Sequence, residues 1–255
     1  MKKTLTVAKY TFIEVYRSKV MFSILFIAAG LVLVSYIASE LAYGAPAKVA
    51  LDIGFGATSI SNLVMALFIG STLLSKEIDS RTLYMVLSRP ISRISFMVGK
   101  VLGLSSVLIV NSFLLSAFSV LIFSFLGGKV SSLMFWAAWF SLMEAFIIML
   151  FAVLFSLVTS NGLAVIYTIV GWGAGHTFAS ATKTAFVKFN PEFGKLLSLV
   201  SLVVPDLEKI NLRDLLIYEQ SISMNYLLTT QVYVTLYIVA QIFMISYIFK
   251  NKNLD

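Results

Sequence analysis

The chain reads as an all-α integral membrane protein with about six transmembrane helices, and three observations predict it. Of its 255 residues 59% are hydrophobic and only 12% charged, against roughly 45–50% and about 25% in soluble domains. Six segments, 20–38, 53–75, 96–126, 133–158, 162–180 and 224–249, are long and apolar enough to cross about 30 Å of hydrocarbon. The short alternating segments of a membrane β-barrel are missing, and open strands would leave backbone groups unpaired in lipid. The whole of 1–255 is therefore expected to form one transmembrane domain.

Each span follows from its flanks. The first apolar stretch, 20–38, precedes Ala45-Pro46-Ala47, which matches the small-residue cleavage pattern of a signal peptide. Its charged leader is too long and its apolar stretch exceeds the usual ~7–15 residues, so it is expected to be a retained span. The third span is longer than a crossing requires and is expected to tilt or to begin outside the bilayer. With the N-terminus placed inside, the inner face holds twelve basic and four acidic groups, net +8, and the outer face seven of each. Five of the seven outer basic groups fall in one long loop, where charge weighs less on topology. The positive-inside rule then sets both termini in the cytosol. Trp136 and Trp139 near the outer end of span four fit an interfacial aromatic belt.

Three features lie outside the lipid. Residues 1–19 read as a basic amphipathic helix, with Leu5, Ala8, Phe12, Val15 and Tyr16 on one side and Thr6, Glu14 and Arg17 away from it. Such a helix lies in the inner interface; ordinary positive flanking charge is the alternative. The inner loop, 76–95 running on to Lys100, mixes charge with Leu83, Met85, Val86 and Leu87 at near-helical positions. Asp79 or Ser80 is placed to cap a helix there, and Pro90 to end it. An apolar stretch rimmed by Arg81, Arg89 and Arg93 suits docking of a protein partner, or packing on its own protein. The outer loop, 181–223, holds an apolar run at 196–204, too short to span. It is expected to be re-entrant or to lie on the outer surface, as part of an outer gate or of a small packed cap.

Whole classes of chemistry drop out. The chain has no cysteine and one histidine, His176, so thiolate metal sites, disulfides and multi-histidine metal sites are not available. No catalytic, cofactor or metal site is expected, and the basic charge belongs to the membrane face rather than to nucleic acid. No G-x-x-x-x-G-K-[ST] phosphate loop occurs; Lys76, Lys100 and Lys129 each lack its context. A membrane protease would need paired intramembrane aspartates, a serine with a base, or H-E-x-x-H; none is found. A secondary transporter built as a three-plus-three inverted repeat remains the alternative to an ATP-driven one. Its halves would differ, one carrying the long inner loop and the other the long outer loop. A purely structural scaffold is a further reading.

Glu144 is the one charge deep inside a span, where an acid costs about 2.5–3.5 kcal/mol and so should find a partner or water. Counted at ~1.5 Å per residue from each inner boundary, Glu144 and His176 each lie roughly 21 Å in, Asn111 roughly 22 Å and Asn62 roughly 20 Å. Four polar residues on four spans thus share one layer. Glu144 with His176 would line a substrate route or gate, or a protonated Glu144 would serve as interhelical glue. Gly99-x-x-x-Gly103 and Gly171-x-x-x-Gly175 permit close helix approach, within the subunit or, for the second, at a dimer seam.

These features together resemble the type-2 ABC exporter permeases along essentially the whole chain. Glu77, Arg81-Thr82-Leu83, Leu87-Ser88-Arg89-Pro90, Arg93 and Gly99-Lys100 are similar to that family's E-x-x-x-x-T-L…L-S-x-P-x-x-R…G-K pattern around its coupling helix. Pro205-Asp206-Leu207-Glu208 with Asn211 is similar to the L-P-N-L-E-x-F-N element of the branch linked to nitrous-oxide-reductase maturation and gliding motility. Val204, Asp206 and Ile210 depart from that element. The resemblance implies an elbow helix carrying Leu5, Phe12 and Arg17, and an ATPase-coupling segment comprising Glu77, Arg81, Thr82, Leu83, Leu87, Arg89, Pro90 and Arg93. It implies two copies of a cytosolic ABC ATPase that hold the ATP and Mg, this chain binding no cofactor. It also implies a second permease copy or a sibling permease, export or force transmission, and a bacterial or archaeal cytoplasmic membrane.

Overall fold

The computed structural model describes residues 2–17, 20–41, 44–79, 92–181, 184, 187, 189–190, 192, 194–195, 197, 199–200, 204–218 and 222–251. All regular structure among these residues is helical. A helix α1 (Lys2–Arg17) precedes α2 (Val20–Leu41), α3 (Pro46–Asp79), α4 (Arg93–Phe125), α5 (Ser132–Val158) and α6 (Asn161–Ala181). A short α7 (Arg213–Ile217) and the last long helix α8 (Met224–Asn251) follow. Every predicted span is a helix. Among the described residues four of them, in α3, α4, α5 and α8, are long and apolar enough to cross a membrane. The protein is thus an all-α, multi-pass membrane protein. The bundle end that carries α1 and the 80–91 segment is called inner here, following the charge distribution.

The largest departure from the sequence reading is α3. Expected over 53–75, it begins at Pro46 and ends at Asp79, 34 residues in all. Pro46 occupies the first helical position, where its fixed φ and missing N–H cost nothing. Lys48 and Asp52 made this turn look like loop, but Asp52 is paired there with Arg213, 2.6 Å away.

α3 and α5 form the centre and pack on each other most extensively. α4 lies against α3 and α5, α2 against α3, α6 against α5 and α3, and α8 against α5 and α4. The α5 span is 67% buried and the α8 span 22%, which makes α5 the hub and α8 peripheral. α5 is apolar on all sides, as a helix with neighbours all round must be. α8 instead buries Leu227, Val234, Ile245 and Phe249 and leaves Leu228, Val232, Leu236, Val239 and Phe243 exposed. Its outward stripe recurs at helical spacing and suits lipid rather than water. α3 and α5 approach closely at Gly70, where a Cβ would stand 2.7 Å from both Ala152 Cβ and the Met149 carbonyl oxygen. Without hydrophobic drive between helices in lipid, such backbone-to-backbone packing is a main source of cohesion.

Candidate functional site

Three constructions lie along the bundle axis. At the inner end α1 is clamped to the base of α4. A Cβ on Gly99 would lie 2.7 Å from Val7 Cβ, and one on Gly103 would lie 2.6 Å from Thr11 Cβ. The Gly99/Gly103 stripe therefore seats α1 rather than another span. Lys100 Nζ adds an ion pair to Glu14 at 3.5 Å. The face of α1 turned to the bundle thus carries Val7, Thr11 and Val15, of which Val15 also belongs to the apolar side read from the helical wheel. Leu5 is 62% and Tyr16 57% exposed, Phe12 is half-buried and Arg17 exposed. The reason is steric: a glycine groove admits small and β-branched side chains, and leaves the longer ones for the interface.

Ser92 caps α4, its hydroxyl accepting from the Ser95 amide. Arg93, expected in the coupling segment, begins α4 and donates to the Lys250 carbonyl at 3.4 Å, which ties the end of α8 to α4. Glu77 falls in the last turn of α3. Arg81, Thr82, Leu83, Leu87, Arg89 and Pro90, and with them the helix expected after Asp79, lie outside the described residues.

Toward mid-bundle the four polar residues expected to form one layer fall into two clusters. Asn111 on α4 donates to Asn62 Oδ1 on α3 at 2.9 Å. Asn62 Nδ2 donates at 3.2 Å to Ser112 Oγ and at 3.2 Å to Ser141 Oγ on α5. Asn62 thereby joins three helices. In the second cluster His176 Nε2 on α6 lies 2.8 Å from Glu144 Oε1 on α5, and the Trp172 indole N–H donates to the same oxygen at 3.0 Å. Trp172 and His176 are four residues apart and so share one face of α6. Their rings meet edge-on at 5.2 Å. Glu144 Oε2 has no hydrogen-bond partner among the described residues.

Above these clusters the outer end is closed by residues 204–218. Leu207, Ile210, Leu212 and Leu216 are buried to 5% exposure or less. The Leu207 amide donates to the Gly175 carbonyl at 3.0 Å, an approach open because a Cβ at Gly175 would meet Leu207 Cγ at 2.7 Å. Gly175 thus receives the outer segment, while Gly171 has no neighbour within 4 Å of its Cβ position. The Asp206 amide donates to the Tyr233 hydroxyl at 2.9 Å, and Ser180 donates to Glu208 at 2.6 Å. Arg213 reaches back to Asp52 on α3 at 2.6 Å. Part of the 196–204 run lies outside the described residues; the segment after it forms the packed cap. Between cap and polar clusters sits a cavity of ≈ 50 Å³ whose walls include Ser59, Ser141, Glu144, Asn211 and Arg213. That is room for a few waters, which need about 10–15 Å³ each. Ser141, one turn before Glu144, belongs both to the asparagine cluster and to this cavity.

Three partners escaped the sequence reading. Trp172 carried a usable signal, its i,i+4 spacing from His176 on a helix whose partner bears a buried acid. The Asp52–Arg213 pair and the second role of Ser141 carried none. The described residues contain no cluster of three or more metal-ligating side chains.

No curated protein matches the chain. The family model of the ABC-2 family transporter protein matches residues 5–170. The matched stretch runs from α1 into α6, taking in the elbow junction, the 80–91 segment, both asparagines and Glu144, and it stops short of His176, the outer cap and α8. With well over half of its length so matched, the chain belongs to the ABC-2 family of transporter proteins and is the membrane subunit of an ABC transporter.

Proposed function

We propose that the chain is the permease half of an ATP-driven exporter or force transmitter in a bacterial or archaeal cytoplasmic membrane. Two permeases, either two copies of this chain or one with a sibling, would pair with two cytosolic ATPase subunits that bind and hydrolyse ATP with Mg. The supporting observation is the continuity of α3. Its 34 residues span about 51 Å at ~1.5 Å per residue. One rod thus links the 80–91 segment to the Asp52–Arg213 contact of the outer cap. α4 leaves the same segment at Arg93, gripped at its base by α1 through Gly99 and Gly103. Displacing 80–91 would move both rods. Between them lie Asn62 and Asn111, and beside them the cavity that Glu144 borders. In this reading Glu77, Arg81, Thr82, Leu83, Leu87, Arg89, Pro90 and Arg93 receive the ATPase. Leu5, Phe12 and Arg17 hold the elbow in the inner interface, and the Glu144–His176 pair forms the floor of the outer gate.

Purification from native cells in lipid discs, with subunit masses read directly, tests this. Two permeases with two nucleotide-binding subunits are expected. Reversing charge at Glu77 or Arg81 is expected to lower the recovered ATPase about tenfold, the scale of about 1.4 kcal/mol in binding, with membrane insertion intact. Undiminished recovery in both reversals would remove these residues from the interface. A stable native oligomer lacking any nucleotide-binding subunit would overturn the reading and favour secondary transport.

A further inference from the structure

The outer cap is fastened to its neighbours in two different ways. At α6 and α8 the cap is held largely by its own backbone. The Leu207 amide donates to the Gly175 carbonyl of α6 at 3.0 Å. On α8 the Tyr233 hydroxyl accepts from the Asp206 amide at 2.9 Å, and the Tyr226 hydroxyl donates to the Lys209 carbonyl at 3.1 Å. The Lys209 ammonium also lies 5.8 Å over the Tyr233 ring. Ties of this kind fix the path of the chain, so the cap and these two helices move together unless the bonds break.

The tie to α3 runs instead through the tip of a long side chain. Arg213 Nε donates to Asp52 Oδ1 at 2.6 Å, and each side chain is 39% exposed. An ion pair so open to solvent contributes little and is easily parted. Its seat is equally open to movement. A Cβ on Gly56 would stand 2.9 Å from Arg213 Cζ and 2.9 and 3.0 Å from its two Nη atoms, so the guanidinium rests on bare helix backbone where only glycine leaves room. It lifts off without unlocking a side chain beneath it. Arg213 is also part of the wall of the cavity that Ser59 and Glu144 border. Ser59 follows Gly56 by about one turn toward the inner end of α3, so lifting the guanidinium uncovers the way to it.

We propose that the Asp52–Arg213 pair is the release latch of the outer gate, with Arg213 as its positioning residue. The proposal rests on the transport reading above, in which α3 is the rod driven from the 80–91 segment; rigid elements of this kind carry coupling between distant sites. The cap stays with α6 and α8. When α3 shifts, the pair parts, the guanidinium leaves Gly56, and water from the outer side reaches the cavity beside Glu144.

The chain has no cysteine, so introduced thiols are the only ones it carries. In the purified native complex, Asp52→Cys/Arg213→Cys bridged by a short bifunctional thiosulfonate fastens the cap to α3, and Ser180→Cys/Glu208→Cys bridged likewise fastens it to α6. The first bridge is expected to lower stimulated ATP hydrolysis about tenfold, as a locked lid does where opening limits turnover, with recovery on reduction. The second bridge is expected to leave hydrolysis at its unbridged level. Undiminished hydrolysis under the first bridge, or an equal fall under both, would overturn the latch. A readout that needs no ATP labels Ser59→Cys in native membranes with an impermeant thiol reagent added from outside. Adding Asp52→Asn is expected to raise the labelling rate roughly threefold, the scale of a half-exposed ion pair, and adding the charge-keeping Asp52→Glu to leave it near that of Ser59→Cys alone. One labelling rate in all three proteins would sink the latch even where hydrolysis is coupled. A native complex lacking any nucleotide-binding subunit would refute the transport reading, and the labelling rates would still decide the latch.

Discussion

Two polar clusters reach α5 one turn apart, at Ser141 and at Glu144, and differ in their chemistry. The asparagine cluster is neutral and sealed: Asn111 is 0% and Asn62 2% exposed, and each amide is used by neighbouring helices. The Glu144–His176 cluster contains the one buried acid among the described residues. It places two contacts on a single carboxylate oxygen and borders a cavity with room for water. A sealed network with its donors engaged holds helices in one arrangement. A pair with spare acceptor capacity beside water can change partners when the cap moves. Under the proposed function the contrast would give cohesion to the first cluster and the moving part of the gate to the second.

The largest effect should come from breaking the cohesive cluster at its hub. Asn62→Ala removes three hydrogen bonds that join α3, α4 and α5, and leaves the Asn111 side chain only its longer contacts with Ser61. Interhelical hydrogen bonds in membranes average about 0.6 kcal/mol and reach about 1.7, so a loss of about 2 kcal/mol is expected. Reversible unfolding in mixed detergent micelles measures it, while ATPase activity per folded complex should stay close to wild type. A stable Asn62→Ala protein with uncoupled ATPase would reverse the division of labour.

The next effect is functional and tests the other cluster. Glu144→Gln keeps the shape and the acceptor for Trp172 while removing the charge. Stability is expected to move by less than about 1 kcal/mol, and substrate- or partner-stimulated ATP hydrolysis to fall about tenfold, equivalent to about 1.4 kcal/mol. Unchanged coupling and assembly would make Glu144 a neutral strut like its asparagine neighbours.

How far this division was legible in the sequence depends on the distance over which each feature is determined. The spans were legible because length and apolarity are local properties. The polar residues Asn62, Asn111, Glu144 and His176 were legible as a group, since the constant helical rise turns residue counts into approximate depths. Pairing within the group was not: depth says that two side chains are level, not which faces meet, and only packing divided four residues into two clusters. The elbow shows the same limit. The wheel found an apolar side with Leu5 and Tyr16, but the seat is a groove at Gly99 and Gly103 on another helix. Small residues there favour Val7 and Thr11 over larger apolar ones. The early start of α3 was hidden because Lys48 and Asp52 resemble a loop until Arg213, 161 residues later, supplies the partner.

The smallest effect sharpens the comparison most. Trp172→Phe removes the indole N–H that holds Glu144 Oε1 and keeps an aromatic ring beside His176. One interhelical bond of average strength is lost, so about 0.6 kcal/mol of stability is expected to go. The informative quantity is the coupling in a double-mutant cycle with Glu144→Gln. If the carboxylate is held by Trp172 and His176 together, the two substitutions should be non-additive by a similar amount. Trp172→Phe alone should also raise basal ATP hydrolysis, because a Glu144 with one restraint fewer opens the gate more readily. Additivity together with unchanged basal hydrolysis would mean that Trp172 merely packs, leaving the His176 contact as the sole restraint on the acid.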